Sequence, residues 1–225
     1  TCSPPEETVL HRRFAKRPDL TPEDTAAMRA NYAGNVTLID DQIGELLDLI
    51  ERRGELDNTV IAFTSDHGEL NGDFGLIYKS CFLDGCLRVP LIVRTPQTAS
   101  GEHAGTVCCS PVAWMDVGPT LVELGGADIE YQQFAKSLCP SLADPSVRIR
   151  EEALSELSGE AALLTPQWKM MTDCHGNPYW LVRPDEDPAE QNNLVSDTSL
   201  EHEKDALRHR LLDRILSSQR DLRKN

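Results

Sequence analysis

The chain of 225 residues carries 22 Lys and Arg against 37 Asp and Glu, a formal charge of −15, with 40% hydrophobic and 26% charged residues. These proportions describe an ordinary globular polypeptide, long enough for a real core in one large domain or two small ones. Net acidity repels phosphodiester backbones and no window approaches the roughly eighteen apolar residues of a membrane span, so neither nucleic acid nor a membrane-crossing helix is expected.

The start, Thr1-Cys2-Ser3-Pro4-Pro5-Glu6, has neither an initiator Met nor a signal-peptide core, and is expected to continue something larger. Residues 1–20, polar and with prolines at 4, 5 and 18, read as an extended connector. A helix start follows: Thr21 as N-cap, Pro22 at the first helical position, and Glu23 and Asp24 at the positive end of the dipole. Met28, Tyr32, Val36, Ile39, Ile43, Leu46, Leu47 and Ile50 recur at three- and four-residue steps, which predicts a long amphipathic helix ending near Arg52-Arg53 and stopped by Gly54.

Thr59 to Thr64 is a short, nearly continuous apolar run, the sign of a strand covered on both faces. Arg88 to Arg94 reads as a second strand, with Pro90 placing its start near an edge. Helix, buried strand, loop and strand together make the grammar of an α/β sheet. Helical turns are expected at about 111–125, closed by Gly125-Gly126, then mixed loop and helix over 135–160. Ala161 to Met171 and Tyr179 to Val182 read as strands flanking the turn His175-Gly176-Asn177-Pro178. Leu207, Leu211 and Ile215, with Leu212 and Leu216, fall on one face of a terminal helix. The expected organisation is a connector at 1–20, an α/β core at 21–150, and at 151–225 a small antiparallel sheet packed by a terminal helix. Seven cysteines (Cys2, Cys81, Cys86, Cys108, Cys109, Cys139 and Cys174) form no C-x-x-C pair, and are expected to be mostly buried thiols acting as small hydrophobes.

Chemistry concentrates where the first strand runs into Thr64-Ser65-Asp66-His67-Gly68-Glu69 and a loop with three glycines that ends at Tyr78-Lys79. Open α/β sheets bind ligands at the carboxyl ends of their strands. Neighbouring residues in a regular strand point to opposite faces, so Asp66 and His67 share one cation only if the chain bends, which Gly68 permits. A carboxylate oxygen and an imidazole nitrogen suit Ca²⁺, Mn²⁺ or Mg²⁺. The same tripeptide also fits an Asx-turn leaving the sheet, with His67 bonded to backbone.

Asn31-Tyr32-Ala33-Gly34 through Ile39-Asp40-Asp41-Gln42-Ile43-Gly44, Asp57-Asn58-Thr59-Val60, Thr64 to Glu69, and Arg88-Val89-Pro90-Leu91-Ile92 closely resemble, in order and spacing, the sulfatases of the alkaline-phosphatase superfamily. Asp116 with Pro119-Thr120-Leu121, Ser155-Glu156, and Asp187-Pro188-Ala189-Glu190 with Asn193-Leu194 resemble later segments of that family. The resemblance implies a partial alkaline-phosphatase-like sheet with flanking helices. It further implies Asp66 and His67 as metal ligands, most often to Ca²⁺, and Lys79 as a substrate-binding and catalytic lysine contacting the sulfate oxygens and the leaving-group side. An ammonium there stabilises charge developing on the bridging oxygen.

The departures are equally specific. Gly72-Asp73-Phe74-Gly75 stands where the family has Gly-Asp-His-Gly; Phe74 cannot donate a proton and is expected to pack over the site mouth. The Cys-x-Pro/Ala-Ser-Arg nucleophile motif, whose Cys or Ser becomes formylglycine, is absent from these residues, since Cys2-Ser3-Pro4 continues Pro5-Glu6. Asp40-Asp41 belongs to the helix and is not the family's acidic metal pair. The expectation is therefore the C-terminal part of a sulfatase, its nucleophile and remaining ligands lying upstream. Alternatives are part of a phosphonate monoester or phosphodiester hydrolase, or a non-catalytic binding remnant. A sulfate ester is the implied substrate, and an exposed parallel-strand edge is expected to favour self-association. A periplasmic or secreted location would follow if a signal peptide precedes Thr1.

Overall fold

A computed structural model describes residues 4–128 and 134–218; Cys2 lies outside the described residues. Its first helix, α1 (Val9–Ala15), falls inside the stretch read as an extended connector. Burial supplies the reason: Val9 and Leu10 are removed from solvent, and Thr8 caps the turn by accepting from the His11 amide at 3.2 Å. The chain packs as two compact units, one of Arg13–Ala104 and one of residues 1–12 with 105–225.

In the first of these units, α2 (Pro22–Arg52) starts and ends as the sequence dictates. Thr21 Oγ1 accepts from the Asp24 amide at 3.1 Å while Asp24 Oδ2 accepts from the Thr21 amide at 3.0 Å, a reciprocal capping box. Gly54 takes the left-handed conformation, φ +70°, that ends the helix. No residue of α2 is buried, and Tyr32, Val36, Ile39 and Leu46 of its apolar face are all exposed.

A short turn, Leu56–Asn58, leads to β1 (Ile61–Thr64); after the site loop come α3 (Asp84–Leu87), β2 (Leu91–Arg94) and α4 (Pro96–Ala99). β1 and β2 pair antiparallel, with Phe63 opposite Ile92 and Thr64 opposite Leu91. The expectation of strands covered on both faces is corrected: Phe63 is 37% and Ile92 63% exposed, so one cross-strand pair presents bare apolar surface. The buried core of this unit is instead the loop region, through Leu70, Leu76, Cys81, Phe82, Leu83 and Cys86.

In the other unit, α5 (Val117–Leu124) and α6 (Cys139–Ala143) precede a four-stranded antiparallel meander. Its strands are β3 (Ala153–Leu157), β4 (Glu160–Leu164), β5 (Lys169–Thr172) and β6 (Pro178–Val182), and α7 (Glu201–Ser218) closes the chain. The run from Ala161 to Met171 is thus two strands. Thr165 breaks it, its amide donating to the Trp168 carbonyl at 2.8 Å and its hydroxyl accepting from the Trp168 amide at 2.9 Å.

Pairing aligns Leu154, Leu163, Met170 and Leu181 as one row across all four strands. That row packs with Leu207, Leu211 and Ile215, spaced four apart on α7, as the helical period requires. Leu212 and Leu216, expected on the same face, are exposed. The opposite sheet face is buried as well, through Ala162, Met171, Trp180 and Val182.

Polar groups inside this unit are closely matched. Asp116, fully buried, accepts from the Ala113 amide at 2.9 Å, the Lys136 amide at 2.7 Å and Arg150 Nε at 2.7 Å, and from Arg150 Nη2. Lys169 and Glu190 form a second buried ion pair. Asn193 Oδ1 accepts from the Leu181 amide at 2.9 Å and its Nδ2 donates to the Tyr179 carbonyl at 3.0 Å, stapling the loop after β6 back onto that strand. Glu160, buried, accepts from the Val9 amide at 2.6 Å and the Tyr179 hydroxyl at 3.0 Å; burial pushes its carboxyl up against the pull of those bonds.

The thiols are less buried than expected. Cys81 and Cys86 are buried and Cys139 is half-buried, but Cys108, Cys109 and Cys174 are exposed.

Candidate functional site

The chain leaves β1 at Thr64 and turns at once. Ser65 Oγ donates to the His67 carbonyl at 2.9 Å, and Asp66 Oδ1 accepts from the His67 amide at 2.9 Å. These bonds bend the chain and bring the two candidate ligands to one side, Asp66 Oδ2 lying 3.5 Å from His67 Nε2. The Gly68 amide that an Asx-turn would bond to Asp66 donates to the Cys86 carbonyl instead. Asp66 is 75% and His67 39% exposed, open to a ligand from solvent.

His67 Nδ1 lies 2.8 Å from the Gly68 carbonyl. A carbonyl only accepts, so Nδ1 carries the proton and the Nε2 lone pair is left for a cation. The Lys79 ammonium rests directly against that Nε2. Lone pair and ammonium are thus matched, and the three residues singled out for chemistry converge on one nitrogen. The His67 amide holds the Asp66 carboxyl below its ordinary range, with the positive charge of Lys79 adding to the effect. Among the described residues no group of three or more His, Cys, Asp or Glu stands at metal-binding spacing. The donor set here is one carboxylate and one imidazole, chemistry that fits a hard or borderline divalent ion as part of a larger shell.

Gly68 is needed for a different reason from the one expected. Its φ is not in the left-handed region; instead a Cβ there would lie 2.0 Å from the Gly85 carbonyl oxygen. That close approach is secured by the Gly68 amide donating to the Cys86 carbonyl at 2.8 Å. The turn after β1 and the segment after Lys79 are thereby held together through backbone.

Glu69, the next acid, is not a ligand candidate in this geometry. Its Oε1 accepts from the Tyr78 amide at 2.5 Å and the Asn71 amide at 3.1 Å, and the Leu70 amide donates to the Tyr78 carbonyl at 3.0 Å. These bonds clasp both ends of the glycine loop. Sequence reasoning missed this role, although an acid immediately after the Asp-His-Gly turn was its signal.

Non-glycine residues in the left-handed region cluster here: Asn71, Phe74, Tyr78 and Ser80 have φ of 49°, 55°, 63° and 74°. Tyr78 and Ser80 flank Lys79. Such conformations cost on the order of 1–3 kcal/mol each and persist where surrounding structure enforces them, commonly at functional sites. Phe74 packs against Phe14, their ring centroids 6.2 Å apart. Asp73 pairs with Arg29 at 2.8 Å, which ties the loop to α2.

Comparison with known proteins bears on the family. Residues 4–127 match the family model described as Sulfatase. The chain is 34% identical over 186 residues to a choline-sulfatase of Rhizobium meliloti, covering 79% of this chain and 35% of that protein. Among solved structures, a phosphonate monoester hydrolase of Agrobacterium radiobacter aligns at TM-score 0.72 and 26% identity, covering 89% of this chain and 43% of its own. A 2-O GAG sulfatase aligns at TM-score 0.80 and 22% identity over 100% of this chain and 49% of its own, a likeness of fold. The chain spans about a third of the length of the choline-sulfatase it matches.

Proposed function

The chain belongs to the sulfatase family, and from that premise we propose that it supplies the Asp66-His67-Lys79 corner of a sulfate-ester hydrolase. The observation that carries the reading is the convergence on His67 Nε2, with Asp66 Oδ2 at 3.5 Å and the Lys79 ammonium in contact. Asp66 and His67 would hold a divalent cation, Ca²⁺ first and Mn²⁺ or Mg²⁺ as alternatives. When bound, that ion supplies Lewis-acid polarisation of an anionic oxygen. Lys79 binds the sulfate oxygens and stabilises charge on the leaving oxygen as the S–O bond breaks. The bond from Nδ1 to the Gly68 carbonyl keeps the imidazole in the tautomer that presents Nε2. The formylglycine that the family resemblance implies has no motif in these residues, so this chain alone is expected to turn over no aryl sulfate.

Two ligands from the chain imply weak binding. Titrating CaCl₂ into ¹⁵N-labelled chain should shift the His67 ring and Asp66 amide signals with about millimolar affinity, and Asp66→Ala or His67→Ala should abolish the shift. Tight one-to-one binding, or a shift that survives both substitutions, would overturn the assignment. Measurable aryl-sulfate turnover by pure chain, lost on Asp66→Ala, would overturn the expected inactivity.

A second reading, part of a phosphonate monoester hydrolase, is favoured by the Agrobacterium likeness. Both classes present a tetrahedral anion to the same lysine. Paired assays with aryl sulfate and aryl phosphonate esters, on a longer protein that contains this chain, separate them. The bare apolar surface at Tyr32, Val36, Ile39, Phe63 and Ile92 supports self-association of the isolated chain.

A further inference from the structure

We propose that Cys81 and Cys86 form a redox-active dithiol that closes to a disulfide immediately beyond the Lys79 segment. Their Sγ atoms are 3.6 Å apart, in van der Waals contact, and both side chains are buried. The turn that brings them together is local: the Cys86 amide donates to the Leu83 carbonyl at 2.8 Å, folding residue 86 back over residue 81. A disulfide bond is about 2.05 Å long, so the sulfurs need to close by roughly 1.5 Å, within reach of side-chain rotation. The hydrogen bond with Cys81, reinforced by burial, pushes the Cys86 thiol up, so that sulfur rests as a thiol and closure is slow.

Closure reaches the site through Tyr78. The Cys86 thiol leans on the Tyr78 carbonyl at 4.0 Å, and Tyr78 precedes Lys79 in the left-handed conformation already described. Oxidation removes that S–H donor and pins both ends of the turn whose Cys86 carbonyl receives the Gly68 amide. The dithiol is thus built into the support of both Lys79 and the Asp66-His67 turn.

The chemistry is thiol–disulfide exchange with a low-molecular-weight disulfide, here glutathione disulfide. One cysteine thiolate attacks it, breaks its S–S bond and releases one glutathione thiolate, leaving a mixed disulfide. The second cysteine thiolate attacks the protein sulfur of that mixed disulfide, forms the Cys81–Cys86 bond and releases the second glutathione. The protein loses two electrons and two protons, and glutathione disulfide gains both.

Lys79 and Arg88 bracket both cysteines, so trypsin releases them in one peptide, Ser80–Arg88. Folded chain is incubated with glutathione disulfide in native buffer, quenched with iodoacetamide, digested without reductant and weighed. The expected result is that Ser80–Arg88 becomes mainly a species lighter by two hydrogen atoms and carrying no alkyl group, reversed by dithiothreitol. In Cys86→Ser that species disappears and Cys81 is found alkylated or glutathionylated. A wild-type peptide that stays doubly alkylated, carries glutathione without closing, closes only after guanidinium unfolding, or is joined to another cysteine's peptide overturns the proposal.

Discussion

The meander unit and the site unit hide their apolar surface in opposite ways. In the meander, one row of side chains across four strands meets three leucine and isoleucine positions on α7, and the reverse sheet face is buried too. In the site unit, a 31-residue helix buries no residue fully, with Met28, Ile43, Leu47 and Ile50 only half-buried, and a two-stranded ribbon shows Phe63 and Ile92 to solvent. Only the loop between β1 and β2 has an interior of its own. The difference teaches that regular secondary structure and a completed core are separate achievements. Capping and hydrophobic period suffice for α2, whereas burial requires partner surface.

The largest expected effect tests the completed half of that contrast. Asp116→Ala leaves the Arg150 guanidinium buried without its carboxylate and strips two amides of an acceptor, and should cost about 3–5 kcal/mol in guanidinium unfolding. A loss below about 1 kcal/mol would show that water reaches this interior. Next, Gly68→Ala drives a Cβ onto the Gly85 carbonyl and should cost about 1–3 kcal/mol while shifting the His67 and Lys79 signals together. Unchanged signals would mean that the two backbone segments move independently. The smallest effect belongs to the open half: Ile39→Ser should alter stability by less than about 0.5 kcal/mol and reduce self-association in sedimentation experiments. A cost of about 2 kcal/mol or more would show that the α2 face is covered in solution.

Much of the local structure was legible in the residues themselves. Thr21, Pro22 and Gly54 bracket α2 within a residue because caps act over one turn. Leu207, Leu211 and Ile215 announce the buried stripe of α7, yet the adjacent Leu212 and Leu216 carry equal hydrophobicity and face solvent. Composition does not tell which of two neighbouring leucines faces a sheet. The candidate site was legible as types: Asp66, His67 and Lys79 were all named from the strand-to-loop stretch and the family resemblance. Their mutual distances were not, because Lys79 meets His67 only after a loop of left-handed residues clasped by Glu69 has turned back. Nor did spacing reveal the Asp116–Arg150 network, whose members stand 34 positions apart.

By itself the sequence determined where α2 begins and stops and which strand leads into the candidate site, since caps and apolar runs act within a few residues; it offered Asp66 and His67 by side-chain type, and Lys79 through the family resemblance. Tertiary structure alone decided that β1 meets β2 antiparallel, that Gly68 answers to the Gly85 carbonyl, and that the Cys81 and Cys86 sulfurs touch. Those outcomes depend on through-space distances between chain segments, which short-range preferences do not specify.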